Sequence, residues 1–113
     1  MELPDLPISA TTVRVPVLVG HSQSVWIETE EPLTPEQATA ILETAPGVRL
    51  VAEPTSRAAA QTQDVLVGRI RPDQASDRGG LVLFLACDNL VKGAALNAIQ
   101  IAELLLEPAR AAA

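Results

Sequence analysis

Aromatic side chains are nearly missing from this sequence. Tyrosine is absent, and Trp26 and Phe84 alone make up the 2% aromatic content of 113 residues. The core therefore has to be aliphatic, built from Val, Leu, Ile and Ala. Cysteine is nearly missing too. With Cys87 alone, neither an internal disulfide nor a cysteine-cluster zinc site can form, a usage expected of a reducing cytoplasm. Positive charge is scarce: eight Lys and Arg stand against fourteen Asp and Glu, a net charge of −6. That balance argues against a general nucleic-acid surface and a polybasic membrane anchor. No apolar run nears the ~18–20 residues of a membrane span. The opening Met1-Glu2-Leu3-Pro4-Asp5 is acidic and proline-broken, unlike a signal peptide. There is no internal repeat, no linker, no G-x-G-x-x-G, no P-loop and no metal-spaced His/Asp/Glu cluster.

What is present suffices for one domain around a core: 48% hydrophobic residues and a mean hydropathy of +0.24, with helix and strand signals intermixed. Residues 1–12, with Pro4 and Pro7, read as an extended lead-in. Val13 to Val19 alternates like a strand, and Pro16 confines it to an edge or an irregularity. Gly20-His21-Ser22 breaks it. Ser24 to Glu30 reads as a second strand, with Val25, Ile27 and Thr29 on one face and Trp26, Glu28 and Glu30 on the other. Thr34-Pro35-Glu36-Gln37 combines a hydroxyl N-cap, proline at N1 and a glutamine that completes a capping box. The helix it starts has a stripe of Ala38, Ile41 and Leu42 and ends at Pro46-Gly47. Val48 to Val51 is a short strand, Glu53 to Gln63 a surface loop, and Asp64 to Arg71 a strand interrupted by Gly68. Leu81 to Cys87 is an unbroken apolar run, expected to be buried on both faces. Asp88 or Asn89 then caps a helix that Pro108 stops near Glu107. Its apolar arc, from Leu90 and Val91 to Leu105 and Leu106, calls for burial on more than one side.

Few residues offer chemistry. His21, the single histidine, follows a strand end, and its bland role is structural or merely exposed. Pairing with Ser22 or Ser24 is conceivable, yet nothing resembles a nucleophile elbow. Arg14, inside an aliphatic strand, is either an edge residue snorkelling to water or a bidentate clamp for a carboxylate. Cys87 reads as a small core hydrophobe rather than a nucleophile. Asn89 and Lys92 stand in the first turn of the last helix. A lysine there opposes the helix dipole, which hints at an anionic partner beside the simpler solvated reading. Glu28, Glu30 and Glu31 read as a solvated face.

Three stretches carry a resemblance. Arg14-Val15-Pro16-Val17-Leu18-Val19-Gly20-His21-Ser22, Val67-Gly68-Arg69-Ile70-Arg71, and the run from Asp88-Asn89-Leu90-Val91-Lys92-Gly93 to Glu103 resemble the aspartate-β-semialdehyde dehydrogenase family, in the family's order. N-acetyl-glutamyl-phosphate reductase, the relative with the nearest chemistry, presents its histidine in different surroundings. The resemblance implies an α+β fold, a mixed β-sheet with two main helices, like part of that family's dimerisation domain. It implies reductive dephosphorylation of β-aspartyl phosphate with NADPH, on the route to lysine, methionine and threonine. A cysteine thiolate forms a thioester, hydride transfer resolves it, and a histidine handles the proton. By motif, His21 matches the acid/base histidine, Arg14 the arginine that holds the substrate α-carboxylate, and Asn89 the amide that approaches NADP.

The match covers the family's C-terminal third. The nucleotide-binding half, the nucleophilic cysteine, the substrate-binding glutamine and the phosphate-binding basic residues are not in this sequence. Cys87 is not at the nucleophile's place, and Thr12 stands where relatives often carry another, non-nucleophilic cysteine. Residues 1–113 are thus expected to form a single partial domain whose 89–107 helix packs, in the family, on the absent nucleotide-binding domain. Inactivity of the isolated chain follows, along with a cytoplasmic location, a small-molecule substrate and a second copy or the missing N-terminal half as partner. The rival reading is a non-catalytic interaction module descended from the enzyme. Arg14 and His21 are an odd seven residues apart, so one site for both requires a break in strand alternation at Gly20 or Pro16.

Overall fold

A computed structural model describes residues 10–75, 77 and 79–111 of the chain, with side chains to residue 106. The lead-in over 1–9 and the last two alanines lie outside the described residues. The elements are β1 (His21–Ile27), α1 (Pro35–Glu43), β2 (Val48–Leu50), α2 (Ser56–Ala59), β3 (Val65–Pro72), β4 (Leu81–Cys87), a π-helical turn (Val91–Ala95) and α3 (Leu96–Ala111). The four strands form one mixed sheet in the order β1-β4-β3-β2. β4 is antiparallel to both neighbours, while β2 and β3 run parallel. This is the expected α+β architecture.

Local signals explain most of these elements. The hydroxyl of Thr34 accepts the Gln37 N–H at 3.3 Å, and the Gln37 side chain accepts the Thr34 N–H at 2.9 Å. That reciprocal pair fixes the start of α1. Ala38 is buried and Leu42 half-buried, but Ile41 stays exposed, so the apolar stripe is narrower than expected. In β1, Val25 and Ile27 are half-buried on either side of an exposed Trp26, and the strand stops at Ile27 rather than Glu30. Leu81, Val82 and Leu83 are buried in succession, which means both faces of β4 are covered at that end; Phe84 and Leu85 are only half-buried. A bulge between Gly68 and Arg71 shifts the β3–β4 register, with Arg69 at φ +55°. A Cβ on Gly68 would run into the Val51 carbonyl oxygen, so glycine lets β3 pass that close.

Three expectations are corrected. Val13 to Val19 forms no strand: with Pro16 lacking an N–H, its backbone closes a tight turn in which Val17 N–H donates to Val15 C=O at 2.9 Å. The β1 edge, which begins at His21, pairs with β4 instead. The stretch from Glu53 to Gln63 is not all surface loop. Thr55 caps α2 by accepting the Ala58 N–H at 3.1 Å, and Ala59 is fully buried with Leu66 and Ala86 at the centre of the core. Small side chains let this one-turn helix lie close to the sheet. Finally, α3 does not end before Pro108 but continues to Ala111; a proline deletes one helical hydrogen bond without forbidding the path of the chain. The rest of the chain does not cover the apolar arc of this helix. Leu90, Ile99, Ile101, Leu104, Leu105 and Leu106 are exposed, Leu105 at 73%, because α3 packs chiefly on the π turn that leads into it.

Candidate functional site

The site is assembled where β1 begins and β4 ends. His21 and Cys87 face each other across the β1–β4 ladder, followed by Ser22 opposite Ala86. Directly opposed residues share a sheet face. Ala86 also opposes Leu66 and packs with Ala59 of α2, so Ser22 lies on the α2 side. Its Oγ is 2.9 Å from the Ser56 Oγ. His21 and Cys87, one residue out of step, lie on the other face. No pairing of His21 with Ser22 or Ser24 is present.

Gly20 sets this geometry. It adopts φ +107°, and a Cβ there would come within 2.9 Å of Ser56 Cβ and 3.2 Å of the Ser56 backbone. Glycine is needed on both counts. Its N–H donates to Asn89 Oδ1 at 2.7 Å across 69 residues of sequence. No strand alternation runs from Arg14 to His21: the chain turns tightly at Pro16 and again at Gly20 before β1 begins. His21 opens the regular strand; Arg14 precedes it on an exposed, irregular segment. No hydrogen bond or ion pair among the described residues joins the two side chains or engages either one.

Asn89 is held by the residue before it. Asp88 is 2% exposed and its carboxylate is fully engaged by backbone donors. Oδ2 accepts the Gln61 N–H at 2.6 Å, and Oδ1 accepts those of Leu90 and Val91 at 2.7 and 3.2 Å. These bonds, that from Gln61 foremost, hold the Asp88 pKa below the usual carboxylate range against the opposing effect of burial. The Asp88 carbonyl takes the Gly93 N–H at 2.8 Å, a five-residue span like that from Leu96 to Val91, which is why the helix opens as a wide π turn. Asp88, not Asn89, is the side-chain cap. Its role was half legible in the sequence, since an Asp before an apolar helix is a cap signal; its bond to Gln61 was not.

Cys87 is half-buried. Burial, then the Asp88 charge, push its thiol pKa up, with Lys92 acting weakly the other way. That is the reverse of what a thiolate nucleophile needs. Lys92 is not simply solvated: its ammonium donates to Gln100 Oε1 and lies over Gly47. Asn89 Nδ2 donates to no group among the described residues, which leaves one amide donor pair for a ligand. Two open grooves lie elsewhere among the described residues. One, of about 380 Å³, runs along Leu50, Ala52, Gly68 and Arg69, and the other is lined by Glu28, Thr29, Glu30 and Pro32. His21 and Arg14 are exposed, and Asn89 is half-buried. No helix among the described residues is long and apolar enough to cross a membrane.

Known proteins resemble this chain over most of its length. Aspartate-semialdehyde dehydrogenase of Corynebacterium melassecola is 55% identical over 106 residues, covering 93% of this chain and 31% of that protein. The Mycolicibacterium smegmatis enzyme of the same name is 54% identical over 104 residues, covering 91% and 30%. Among solved structures, aspartate semialdehyde dehydrogenase II of Vibrio cholerae complexed with ASA matches with a TM-score of 0.75 at 42% identity, over 83% of this chain and 29% of that one. The chain thus spans about a third of the length of the relatives it matches. Residues 1–92 match the family model described as semialdehyde dehydrogenase, dimerisation domain. The chain belongs to the semialdehyde dehydrogenase dimerisation-domain family.

Proposed function

We propose that this chain is the C-terminal portion of an NADP-dependent aspartate-semialdehyde dehydrogenase, acting in the cytoplasm on the route to lysine, threonine and methionine. The observation that carries the reading is the 2.7 Å bond from Gly20 to Asn89 Oδ1. It brings the histidine-bearing strand end and the helix start, two separate motifs of the resemblance, into one place. In this reading His21 moves the proton of a thiol supplied by the rest of the enzyme. Arg14 pairs the substrate α-carboxylate through its planar fork. The free Nδ2 of Asn89 donates to the nucleotide. NADPH would supply the hydride in the biosynthetic direction, and NADP would accept it in the reverse. The exposed apolar arc of 89–107 packs on the nucleotide-binding domain of the complete enzyme, and the sheet domain pairs with a second copy.

The exposed apolar helix and the raised Cys87 thiol give the rival reading, a non-catalytic interaction module, its footing. A chimera separates them: this chain in place of the corresponding third of the Mycolicibacterium smegmatis relative. The assay is NADPH formation from aspartate semialdehyde and phosphate. Turnover is expected, with H21A lowering kcat by roughly 10²–10⁴-fold and R14K raising the substrate KM by about tenfold. A folded, dimeric chimera without turnover, or full turnover by H21A, sinks the proposal.

A further inference from the structure

We propose that Asn89 is a positioning residue for His21, so that one side-chain amide couples the nucleotide site to the acid/base histidine. The inference rests on the roles of His21 and Asn89 proposed above and adds a link between them.

The amide orientation is not arbitrary. A backbone N–H can only donate, so the end of Asn89 that meets Gly20 must be its carbonyl oxygen, at 2.7 Å. In a planar amide this turns Nδ2 away from Gly20, and Nδ2 finds no acceptor among the described residues. One end of the group is committed to the backbone beside His21; the other is open for a ligand.

Gly20 needs such a restraint. It is the residue through which the irregular segment turns into β1, at φ +107°, and glycine has the widest choice of conformations. Ser56 blocks it on one side, where a Cβ would meet Ser56 Cβ at 2.9 Å, and the Ser22–Ser56 hydroxyl pair braces the following residues. Asn89 holds the N–H on the remaining side. Asn89 in turn sits between two fixed points. Before it, Asp88 is anchored to Gln61; after it, the Leu90 and Val91 N–H groups are tied to Asp88 Oδ1. A ligand that pulls on Nδ2 therefore moves or steadies the Gly20 peptide, and with it the Cα of His21.

The test compares N89A, which removes both ends of the amide, with N89D, which keeps an acceptor for Gly20 and removes the donor. In the 113-residue chain, the Gly20 amide of N89A is expected to exchange with solvent about fivefold faster or more, and the His21 ring resonances to shift. N89D is expected to keep Gly20 protection within about twofold of the unaltered chain. In the chimera, both variants raise the KM for NADP, but kcat falls further in N89A than in N89D. A merely structural asparagine would not produce that split. Unchanged Gly20 exchange and His21 resonances in N89A overturn the proposal, as does an equal loss of kcat in both variants. If the parent chimera has no turnover, the proposed function fails separately, and the Gly20 and His21 signals of the isolated chain still decide the positioning role. Should N89A unfold, the through-bond scalar coupling between the Gly20 nitrogen and Asn89 Cγ in the unaltered chain decides it: presence supports the link, and absence overturns it.

Discussion

The carboxylate of Asp88 accepts the backbone N–H of Gln61 at 2.6 Å, joining the start of the last helix to the turn after α2. Gln61 sits at φ +63°, a conformation non-glycine residues rarely hold without such an anchor. Because the folded state favours ionised Asp88, its contribution to stability is fully present above the unfolded value near ~3.9 and is lost as pH falls through the lower folded value. Thermal midpoints measured from pH 7 downward should therefore show D88N less stable than the unaltered chain at neutral pH. The gap should close in acid. A constant gap across that range would mean the charge is not what matters.

G20A should destabilise the chain by about 1–3 kcal/mol, through a disfavoured φ combined with a clash at Ser56. Urea unfolding would read this as a lower midpoint at unchanged slope. An unaltered midpoint would mean that the Gly20 turn relaxes freely.

G68A is expected to cost about 3 kcal/mol, the upper part of the range for overpacking. The obstacle is the Val51 carbonyl with Pro54 beside it, so the relief must come from backbone. The same measurement ranks the two glycines, and G68A should be no milder than G20A.

Hydrogen exchange should divide the chain. Amides of β4, central in the sheet and buried over Leu81–Leu83, should be the slowest. Those of 97–106 should be far faster, since few apolar contacts hold α3 to the rest. Sedimentation of the same sample reports whether the exposed leucines drive self-association. A dilute monomer with α3 as protected as β4 would contradict this description of the helix.

The isolated 113-residue chain should show no turnover in the NADPH assay. Its single thiol, Cys87, is pushed toward the neutral form by burial, and a reaction without positioned partners loses most of its rate enhancement. Clear turnover would require a new view of Cys87.

Much of the fold was legible because its causes are local. The Thr34–Gln37 box, the Val25–Ile27 alternation and the apolar run of β4 each act within a few residues of chain, where propensity and periodicity are set. The Val13–Val19 segment alternates yet forms no strand, because alternation shows only that a strand would fit; whether it forms depends on an edge to pair with. The α2 turn shows no helical period in the sequence, because four residues are too few to display one. The proposed site residues, His21, Arg14 and Asn89, stand out in the sequence by type and motif. Their arrangement does not. The bond between Gly20 and Asn89 spans 69 residues, that between Asp88 and Gln61 spans 27, and the facing of His21 and Cys87 depends on ladder register. Such contacts form only when non-local chain entropy has been overcome by packing of the aliphatic core. The sequence by itself determined which side chains were available, and the tertiary structure decided which of them meet.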